Sequence, residues 1–362
     1  MYNLIFFLPK FSLNGAGKST YRLCKNLDKE KYDITIISIG KNSYRSQLKK
    51  IGCKIYEIDR KTVFFSMLEV SKIVKNIVSY KFKKNIFLSS HHYTNVSSII
   101  FLRKIKNLKI IGIERTDISE LLWYDTFFKY IKNLFIYALV KIYYKNADII
   151  ISNSLSGKKD LLKITKAKVE AIHSPSFSTY YQKKKNIFKN LRIISVGRLV
   201  KEKGYTTVLK ALTLIKIRNF KYYILGEGPE KKNLIRIINL YGLTKNVSLL
   251  GFKNPKKYLK KSNLFINASF FEGFPNAVVE AINSCLPSIC SDCNGGSREI
   301  LLNGKGGYFF RTNDPKDLSK KIDLFCCEPT KLEQKMIVAR KNISRFSEKS
   351  HLKRYERIFN KI

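Results

Sequence analysis

Two stretches of the sequence carry residue types that bind phosphate. The first, SLNGAGKST at residues 12–20, matches part of the phosphate-loop pattern Gly-x-x-x-x-Gly-Lys-Ser/Thr, although Ser12 stands where the first glycine belongs. It follows an apolar run and precedes a helix-like segment, and a helix N-terminus after a strand is an anion site for any phosphate. The second, SVGRLVKEKG at 195–204, places Arg198 and Lys203 between a predicted strand and a predicted helix. Two cations at that position are typical of a diphosphate site.

Two glutamates stand eight residues apart in SFFEGFPNAVVEAINSCLP, residues 269–287. Glu272 precedes a predicted helix, and Glu280 lies on it. Two glutamates could serve as the acid and the nucleophile of a retaining glycosidase. In such enzymes the two carboxyl groups lie about 5–5.5 Å apart. Eight mostly helical residues separate these two by about 10 Å along the helix axis. The spacing therefore disfavours a glycosidase.

An ordered set of segments in the second half of the chain resembles a known family. The set is GRL-x2-EKG, LGEGP, LLGF, FFEGFPNAVVEA and NGGSREI. It resembles glycosyltransferase family 4, nucleotide-sugar enzymes of the GT-B fold, and the Glu-x7-Glu element is that family's hallmark. The resemblance spans the chain and is most specific over residues 192–310. It implies sugar transfer with retention at the anomeric carbon.

The same resemblance implies roles for individual residues. Arg198 and Lys203 would bind the diphosphate of the donor. Glu272, as the catalytic-site carboxylate, would hold hydroxyls of the transferred sugar, whereas Glu280 would bind the ribose hydroxyls. Glycine-rich turns and the start of the following helix complete the implied donor-binding set: Gly15, Gly17, Gly226, Gly228, Phe274, Pro275 and Asn276.

The glycine-rich stretch near the N-terminus resembles the GGAE loop of that family, which approaches the donor diphosphate from the other domain. The stretch departs from the family pattern at two positions. Asn14 replaces the first glycine, and Gly17 occupies the acidic position. These differences leave the role of Lys18 open.

The acceptor side is less clearly defined. SSHHYTNVSSI (residues 89–99) and IGIERTDIS (residues 111–119) follow predicted strands. Relatives that build bacterial surface glycans carry Glu-His-Ser or Glu-Arg-Asn at the second segment, where this chain has Glu-Arg-Thr. We expect Arg115 and His92 to be the catalytic candidates on this side. The alternative is that His91 and His92 are ordinary residues at the end of a loop.

Short apolar runs alternate with helix-period segments along the whole chain, which is typical of parallel α/β architecture. We predict two Rossmann-like, doubly wound domains facing across a cleft, over residues 1–175 and 176–345. A C-terminal helix at 346–362 would pack back on the first domain. The predicted linker is the polar stretch 173–190. The predicted strands are 4–8, 34–39, 54–58, 86–89, 109–113, 148–152, 169–172, 192–196, 221–225, 247–250, 264–267, 288–291 and 307–310.

The formal net charge of +42 is spread over both halves of the chain, and only 15 of the 69 basic residues are Arg. Proteins that read nucleic acid concentrate their charge and favour Arg, so we expect no nucleic-acid partner. Such a field does attract anionic substrates and anionic membrane surfaces. The aromatic and Lys-rich segment 126–145 fits either an amphipathic helix on a membrane or a core helix with Lys at its rim, and the core helix is favoured.

The sequence offers no basis for a metal site or a cofactor. No Asp-x-Asp occurs, and Cys290 and Cys293 form a single Cys-x-x-Cys without a second pair. No apolar run approaches the roughly 18 residues of a membrane span, and the N-terminus lacks a signal-peptide pattern. We therefore expect a cytoplasmic protein that associates peripherally with the inner face of the membrane.

We expect transfer of a hexose or N-acetylhexosamine from a nucleotide-diphosphate sugar, with a UDP-sugar as the expected donor. The expected acceptor is a bacterial surface glycan or a lipid-linked glycan. A GT-B sugar-nucleotide epimerase would share the fold and the donor, and a non-catalytic glycan- or membrane-binding protein is the alternative from another class. The sugar, the linkage and the acceptor are not fixed by the sequence.

Overall fold

A computed structural model describes residues 1–12, 15–60, 62–122, 127–181 and 190–362. The chain divides into two compact units. The first unit contains residues 1–175 together with 348–362, and the second contains residues 176–347. Asn14 and part of the predicted linker, residues 182–189, lie outside the described residues.

The first unit contains a seven-stranded sheet in which every neighbouring pair of strands is parallel. Its strands are β1 Tyr2–Leu8, β2 Tyr32–Ile39, β3 Lys54–Ile58, β4 Lys84–Ser90, β5 Leu108–Glu114, β6 Ile149–Ser152 and β7 Val169–Ala171. The order is β3-β2-β1-β4-β5-β6-β7. Parallel strands are covered on both faces, which explains why every residue of β1 is buried and why Leu4–Leu8 is a continuous apolar run.

Helices cover both faces of this sheet. They are α1 Gly15–Asn26, α2 Arg45–Lys50, α3 Val63–Ile77, α4 His92–Leu102, α5 Phe127–Tyr143, α6 Leu155–Ile164 and the C-terminal α14 Glu348–Lys361. Leu4 and Phe6 of β1 pack into the cluster with α1, α2 and α14. Ile5 and Phe7, which alternate with them, pack into the cluster with α3, α4, α5 and α6. Short 3-10 segments lie at Ile118–Leu122 and Tyr144–Asn146.

The C-terminal helix α14 is part of the core of the first unit. Phe359 is fully buried, and its ring centroid lies 5.9 Å from that of Tyr32. The Tyr2 hydroxyl donates to Asn360 Oδ1 at 2.8 Å. The C-terminal helix therefore packs on the sheet to which β1 belongs.

The second unit repeats the architecture with a six-stranded parallel sheet. Its strands are β8 Leu191–Val196, β9 Phe220–Leu225, β10 Val247–Gly251, β11 Leu264–Asn267, β12 Ser288–Ser291 and β13 Tyr308–Phe310. Their order is β10-β9-β8-β11-β12-β13. The helices are α7 Tyr205–Leu214, α8 Lys231–Leu240, α9 Pro255–Leu259, α10 Asn276–Asn283, α11 Ser297–Ile300, α12 Pro315–Cys327 and α13 Pro329–Lys341. Further 3-10 segments are Lys201–Lys203, Leu302–Gly304 and Ile343–Phe346.

The predicted α/β architecture is confirmed, and all thirteen predicted strands are present with ends that differ by at most two residues. Each sheet reverses its strand order once, between β1 and β4 in the first unit and between β8 and β11 in the second. In open parallel sheets ligands bind beyond the carboxyl ends of the strands at such a reversal. The residues that follow these four strands are therefore the first to examine.

Helix α5 is less buried than the core-helix interpretation of segment 126–145 implies. Ile136 and Val140 are buried against the sheet. Phe128 and Phe135, on a different side, are 87% and 64% exposed. The core interpretation is thus wrong for one side of the helix. Within the described ranges, no helix combines the length and the hydropathy that a bilayer span requires.

Candidate functional site

The strand-order reversal of the second unit brings two predicted site residues into contact. Lys203 ends the 3-10 segment that follows β8, and Glu272 lies in the loop that follows β11. Lys203 Nζ lies 2.5 Å from Glu272 Oε1, and the side chains are 21% and 12% exposed. The Ser269 hydroxyl donates to the same carboxylate oxygen at 2.7 Å. The predicted diphosphate cation and the predicted sugar carboxylate therefore form one part-buried ion pair.

Backbone hydrogen bonds hold the Glu272 loop from both sides. The Phe270 N–H donates to the Glu202 carbonyl at 2.8 Å, which ties this loop to the segment after β8. The Glu272 N–H donates to the Asn294 carbonyl at 3.2 Å, which ties it to the loop after β12. Gly295 has a φ of +125°, and a Cβ there would lie 1.6 Å from the Glu272 carbonyl oxygen. Glycine is required at this position because no side chain fits between the two loops.

Arg198 is placed differently from Lys203. Its side chain is 70% exposed and lies 3.5 Å from Glu202 in a surface pair. Exposed pairs of this kind contribute little to stability, so the guanidinium is available to reorient toward a ligand. The structure thus brings Lys203 and Glu272 together and leaves Arg198 at the rim of the same loop.

The two glycines of LGEGP, Gly226 and Gly228, allow two loops of the second unit to pack closely against each other. A Cβ on Gly226 would lie 1.8 Å from the Gly197 carbonyl oxygen, and a Cβ on Gly228 would lie 2.3 Å from that of Leu199. Both glycines therefore let the loop after β9 pack against the backbone after β8. Their contact with a donor stays a prediction.

The segment that leads into α10 is buried at Phe274 and Pro275. Phe274 is 6% exposed, and its ring centroid lies 5.0 Å from that of Phe346 in an edge-to-face contact. Pro275 precedes the first residue of the helix, Asn276, whose side-chain oxygen accepts from the Ser176 hydroxyl at 2.9 Å. Glu280 is partly exposed in the second turn of α10.

In the first unit, the reversal between β1 and β4 has Gly15 and Gly17 on one side and His92 on the other. Helix α1 begins at Gly15, and Gly17 is buried in its first turn. A Cβ on Gly17 would lie 2.0 Å from the Ser12 carbonyl oxygen, which explains the glycine at the acidic position of the family loop. A helix is present as expected, but it begins at Gly15 within the stretch and not after it, and phosphate binding there stays a prediction.

A buried polar network surrounds His92 at the ends of β4 and β5. His92 Nδ1 lies 2.7 Å from Glu114 Oε2, and the side chains are 7% and 1% exposed. Glu114 Oε1 accepts from the Tyr144 hydroxyl and, at 2.8 Å, from Asn95 Nδ2. His92 Nε2 lies 3.3 Å from Thr116 Oγ1. These contacts fix the ring of His92, and its catalytic role stays a prediction.

The charges of this network stabilise each other. Burial alone would lower the pKa of His92, but the adjacent Glu114 carboxylate outweighs burial and raises this pKa above its usual 6.5. Burial alone would raise the pKa of Glu114, but His92 and the hydrogen bonds from Tyr144 and Asn95 lower it below 4.5. Both shifts favour the charged forms, imidazolium and carboxylate, because a buried charge needs a partner and hydrogen bonds.

Arg115 is fixed within the first unit and points to α1. Its guanidinium donates to the hydroxyls of Ser19 and Thr20 at 3.0 and 3.1 Å. Asn153 Nδ2 donates to the Arg115 carbonyl at 2.6 Å. The side chain thus links the end of β5 to the helix of the glycine-rich stretch, which favours a positioning role.

The sequence analysis did not assign several of these partners. Glu114 stands in the quoted ERT segment, but nothing in the sequence pairs it with Tyr144, 30 residues away. Ser269 and Asn294 stand in quoted segments, and their contacts with Glu272 depend on how neighbouring loops meet. Among the described residues, no group of three or more His, Cys, Asp or Glu side chains is placed to hold a metal ion.

Comparison with known proteins gives concordant results. Residues 178–342 match the family model described as glycosyl transferases group 1. The uncharacterized glycosyltransferase MJ1059 of Methanocaldococcus jannaschii is 35% identical over 252 residues, which are 64% of this chain and 60% of that protein. The N-acetylgalactosamine-N,N'-diacetylbacillosaminyl-diphospho-undecaprenol 4-alpha-N-acetylgalactosaminyltransferase of Campylobacter jejuni is 28% identical over 262 residues, 70% of this chain and 69% of that protein.

Solved structures share the whole fold. The crystal structure of Alr3699/HepE from Anabaena in complex with UDP superposes with a TM-score of 0.82 at 16% identity, covering 100% of both chains. Two parallel α/β units in succession are the Rossmann-like domains of the GT-B fold. The solved structures therefore show the GT-B fold for this chain, and the family model and these relatives show that its sequence is similar to those of glycosyltransferases.

Proposed function

We propose that this chain transfers a hexose or N-acetylhexosamine from a nucleotide-diphosphate sugar to a bacterial surface-glycan or lipid-linked acceptor, with retention as in family 4. The observation that carries the proposal is the Lys203–Glu272 ion pair at the strand-order reversal of the second unit. A cation for the diphosphate and a carboxylate for sugar hydroxyls are the two groups that a nucleotide-sugar donor needs side by side.

Because Lys203 and Glu272 form an ion pair, diphosphate binding to one of them changes what the other can bind. A diphosphate competes with Glu272 for Lys203, and the released carboxylate oxygen then accepts hydrogen bonds from sugar hydroxyls. Lys203 also neutralises charge that develops on the diphosphate as the sugar leaves, which is the stage at which fixed charge accelerates a reaction. Arg198 supplies a second cation with a planar, bidentate group suited to phosphate.

The position of Glu280 supports a ribose contact over a purely helical role. A carboxylate favours a helix N-terminus only within the first turn. Glu280 lies in the second turn of α10, and the first turn contains no acidic residue. A binding role therefore explains this partly exposed glutamate better than the helix dipole does.

On the acceptor side, His92 is the proposed catalytic candidate and Arg115 the proposed positioning residue. Glu114 holds Nδ1 of His92, so Nε2, which lies 3.3 Å from the Thr116 hydroxyl, is the ring atom proposed to act on an acceptor. Arg115 instead holds the helix that begins at Gly15 through two hydroxyls. Contacts of Gly15 and Gly17 with the donor diphosphate belong to this proposal.

The relatives support the substrate classes. The Campylobacter jejuni relative is named for transfer to a diphospho-undecaprenol-linked sugar, and the Anabaena structure holds UDP. We therefore propose UDP as the nucleotide, a lipid-linked acceptor, and action in the cytoplasm at the inner face of the membrane. The epimerase and the non-catalytic binding protein are not favoured, because these relatives are named transferases and the paired donor residues are present.

The first prediction concerns the two cationic residues that are proposed to bind the diphosphate of the donor. Lys203→Ala and Arg198→Ala should each weaken UDP binding by about 1.5–3 kcal/mol, the contribution of a charge-assisted hydrogen bond. Uridine, which lacks the diphosphate, should bind these variants as it binds the wild type. Titration calorimetry measures both ligands. Lys201→Ala is the matched control, since this exposed Lys lies in the same 3-10 segment. Wild-type UDP affinity in both test variants would contradict the assignment.

The second prediction separates the two glutamates. Glu272→Gln should reduce transfer sharply while UDP affinity stays or rises, because the substitution releases Lys203 from its ion pair. Glu280→Gln should weaken UDP itself, because the ribose belongs to that ligand. Initial rates with a UDP-sugar and titration with UDP distinguish the two effects. Glu333→Gln on α13 is the control, as this side chain is also partly exposed. Wild-type UDP affinity of Glu280→Gln would exclude the ribose role.

The third prediction concerns the pH dependence of stability. The raised pKa of His92 contributes stability that is present below 6.5 and is lost as the pH rises through the folded-state value. The lowered pKa of Glu114 contributes stability that is present above 4.5 and is lost as the pH falls through its folded-state value. His92→Gln should therefore destabilise the protein more at about pH 5.5 than at about pH 8.5. Urea midpoints at the two pH values measure this difference.

His351→Gln is a control of opposite sign for that experiment. Burial lowers the pKa of His351 to about 3, and its Nδ1 lies 2.8 Å from the His173 carbonyl oxygen. Keeping this ring neutral costs free energy below 6.5, so the substitution should be less destabilising at the lower pH. Equal pH dependence of the two variants would show that the His92–Glu114 charges are not formed.

The fourth prediction is that transfer survives EDTA. In the proposed mechanism Lys203 and Arg198 neutralise the negative charge of the diphosphate. A bridging metal ion has this role in other enzymes. Initial rates measured with EDTA, and with Mn²⁺ added back, test this proposal. Loss of turnover on chelation with recovery on Mn²⁺ would contradict it.

A further inference from the structure

Three neighbouring helices of the first unit expose an unusual amount of apolar surface. Helix α4 packs between α3 and α5, and all three cover the same face of the sheet. We call their outer side the α3–α5 face. Its exposed large apolar residues, each 38–87% exposed, are Phe64, Phe65, Leu68, Tyr93, Ile100, Phe127, Phe128, Ile131, Phe135 and Ile142.

These side chains form connected groups. The Phe64 ring on α3 lies 5.6 Å from the Phe101 ring on α4 and 5.9 Å from the Phe65 ring. On α5, Phe128, Ile131 and Phe135 are three and four residues apart, so they share one side of the helix. That side differs from the buried side of Ile136 and Val140. A helix with a second, exposed apolar side has a surface suited to a partner.

The charges around this apolar surface are mostly positive. Within α3, α4 and α5 the only acidic residue is Glu69, which lies 3.7 Å from Arg60. Exposed basic residues on these helices and just beyond them are Lys72, Lys75, Arg103, Lys104, Lys129, Lys132, Lys141 and Lys145. Exposed aromatic rings surrounded by Lys and Arg match the boundary between lipid headgroups and acyl chains, where rings insert and cations meet phosphates.

We propose that the α3–α5 face docks on the surface of an anionic bilayer. A second copy of the chain is a poorer occupant, because two faces with the same positive charge repel each other. The inference extends the proposed lipid-linked acceptor, which such docking would bring close to the protein. Vesicle binding and sugar transfer are measured separately, so that either proposal can fail while the other stands.

The test is cosedimentation of the full chain with vesicles of phosphatidylcholine, with and without phosphatidylglycerol. The wild type should cosediment with the anionic vesicles, which contain phosphatidylglycerol, and should not cosediment with the neutral vesicles. The double variant Phe128→Ser, Phe135→Ser should bind anionic vesicles at least roughly tenfold more weakly. Each substitution removes the favourable free energy of transferring a phenylalanine ring from water into the membrane interface. Lys132→Glu with Lys141→Glu should weaken the same binding. All four side chains are exposed, so these variants should fold.

The matched control replaces exposed apolar residues of the second unit, Leu240→Ser with Phe252→Ser, which are 77% and 73% exposed in the wild type. This control should bind anionic vesicles like the wild type. Wild-type binding by the α5 variants would overturn the proposal. So would a concentration-dependent dimer in sedimentation velocity that the Phe128→Ser, Phe135→Ser variant loses, because a second copy would then occupy the face.

A transfer assay distinguishes this failure from failure of the proposed function. With a UDP-sugar and a water-soluble acceptor analogue, the Phe128→Ser, Phe135→Ser variant should keep the wild-type rate, because neither residue belongs to the donor or acceptor site. Loss of vesicle binding with this rate unchanged supports docking. A variant that loses the soluble-acceptor rate as well as vesicle binding would show that the substitutions damage the domain and would remove the support for docking.

Discussion

Parallel strand pairing is the constraint on which both candidate sites depend. Each parallel pair needs a crossover helix, so every strand ends at the same edge of its sheet and is followed by a loop there. Residues far apart in sequence are gathered at this edge. Lys203 and Glu272 are 69 residues apart, and Arg115 and Ser19 are 96 apart. Each contact lies beyond a strand-order reversal or beside one, where the loops diverge and leave room for a ligand.

The two sites use charge in different ways. Glu114 is nearly inaccessible, and its two oxygens are held by His92, Tyr144 and Asn95, so exchanging any partner would leave a buried charge without compensation. The Lys203–Glu272 pair is part-buried and reaches solvent, so the proposed exchange of the carboxylate for a diphosphate would have a modest desolvation cost. The first arrangement suits a fixed catalytic ring, and the second suits a site that must bind and release a charged donor.

The strands were predictable because buried parallel strands are rich in consecutive apolar residues, as over Leu4–Leu8 of β1, and the glycine-rich turns between them mark their ends. The site was predictable only as a set of residues. Lys203 and Glu272 were both named, but their contact depends on the backbone bonds that join three loops, and no spacing encodes it. Helix α5 shows a further limit, since its period fits a core helix and a surface helix equally well. Only the packing of α4 beside it decides which side is buried.

Because basic residues are in large excess, net charge alone cannot distinguish one anionic ligand from another. With 69 basic and 27 acidic residues, most cations have no acidic partner, and the resulting field attracts donor phosphates and lipid headgroups alike. At physiological ionic strength this attraction is screened beyond about 8 Å. Specificity must therefore come from the few places where acids are fixed beside bases at short range. Glu272 beside Lys203 and Glu114 beside His92 are such places, and the α3–α5 face, where acids are almost missing, is suited to general attraction instead.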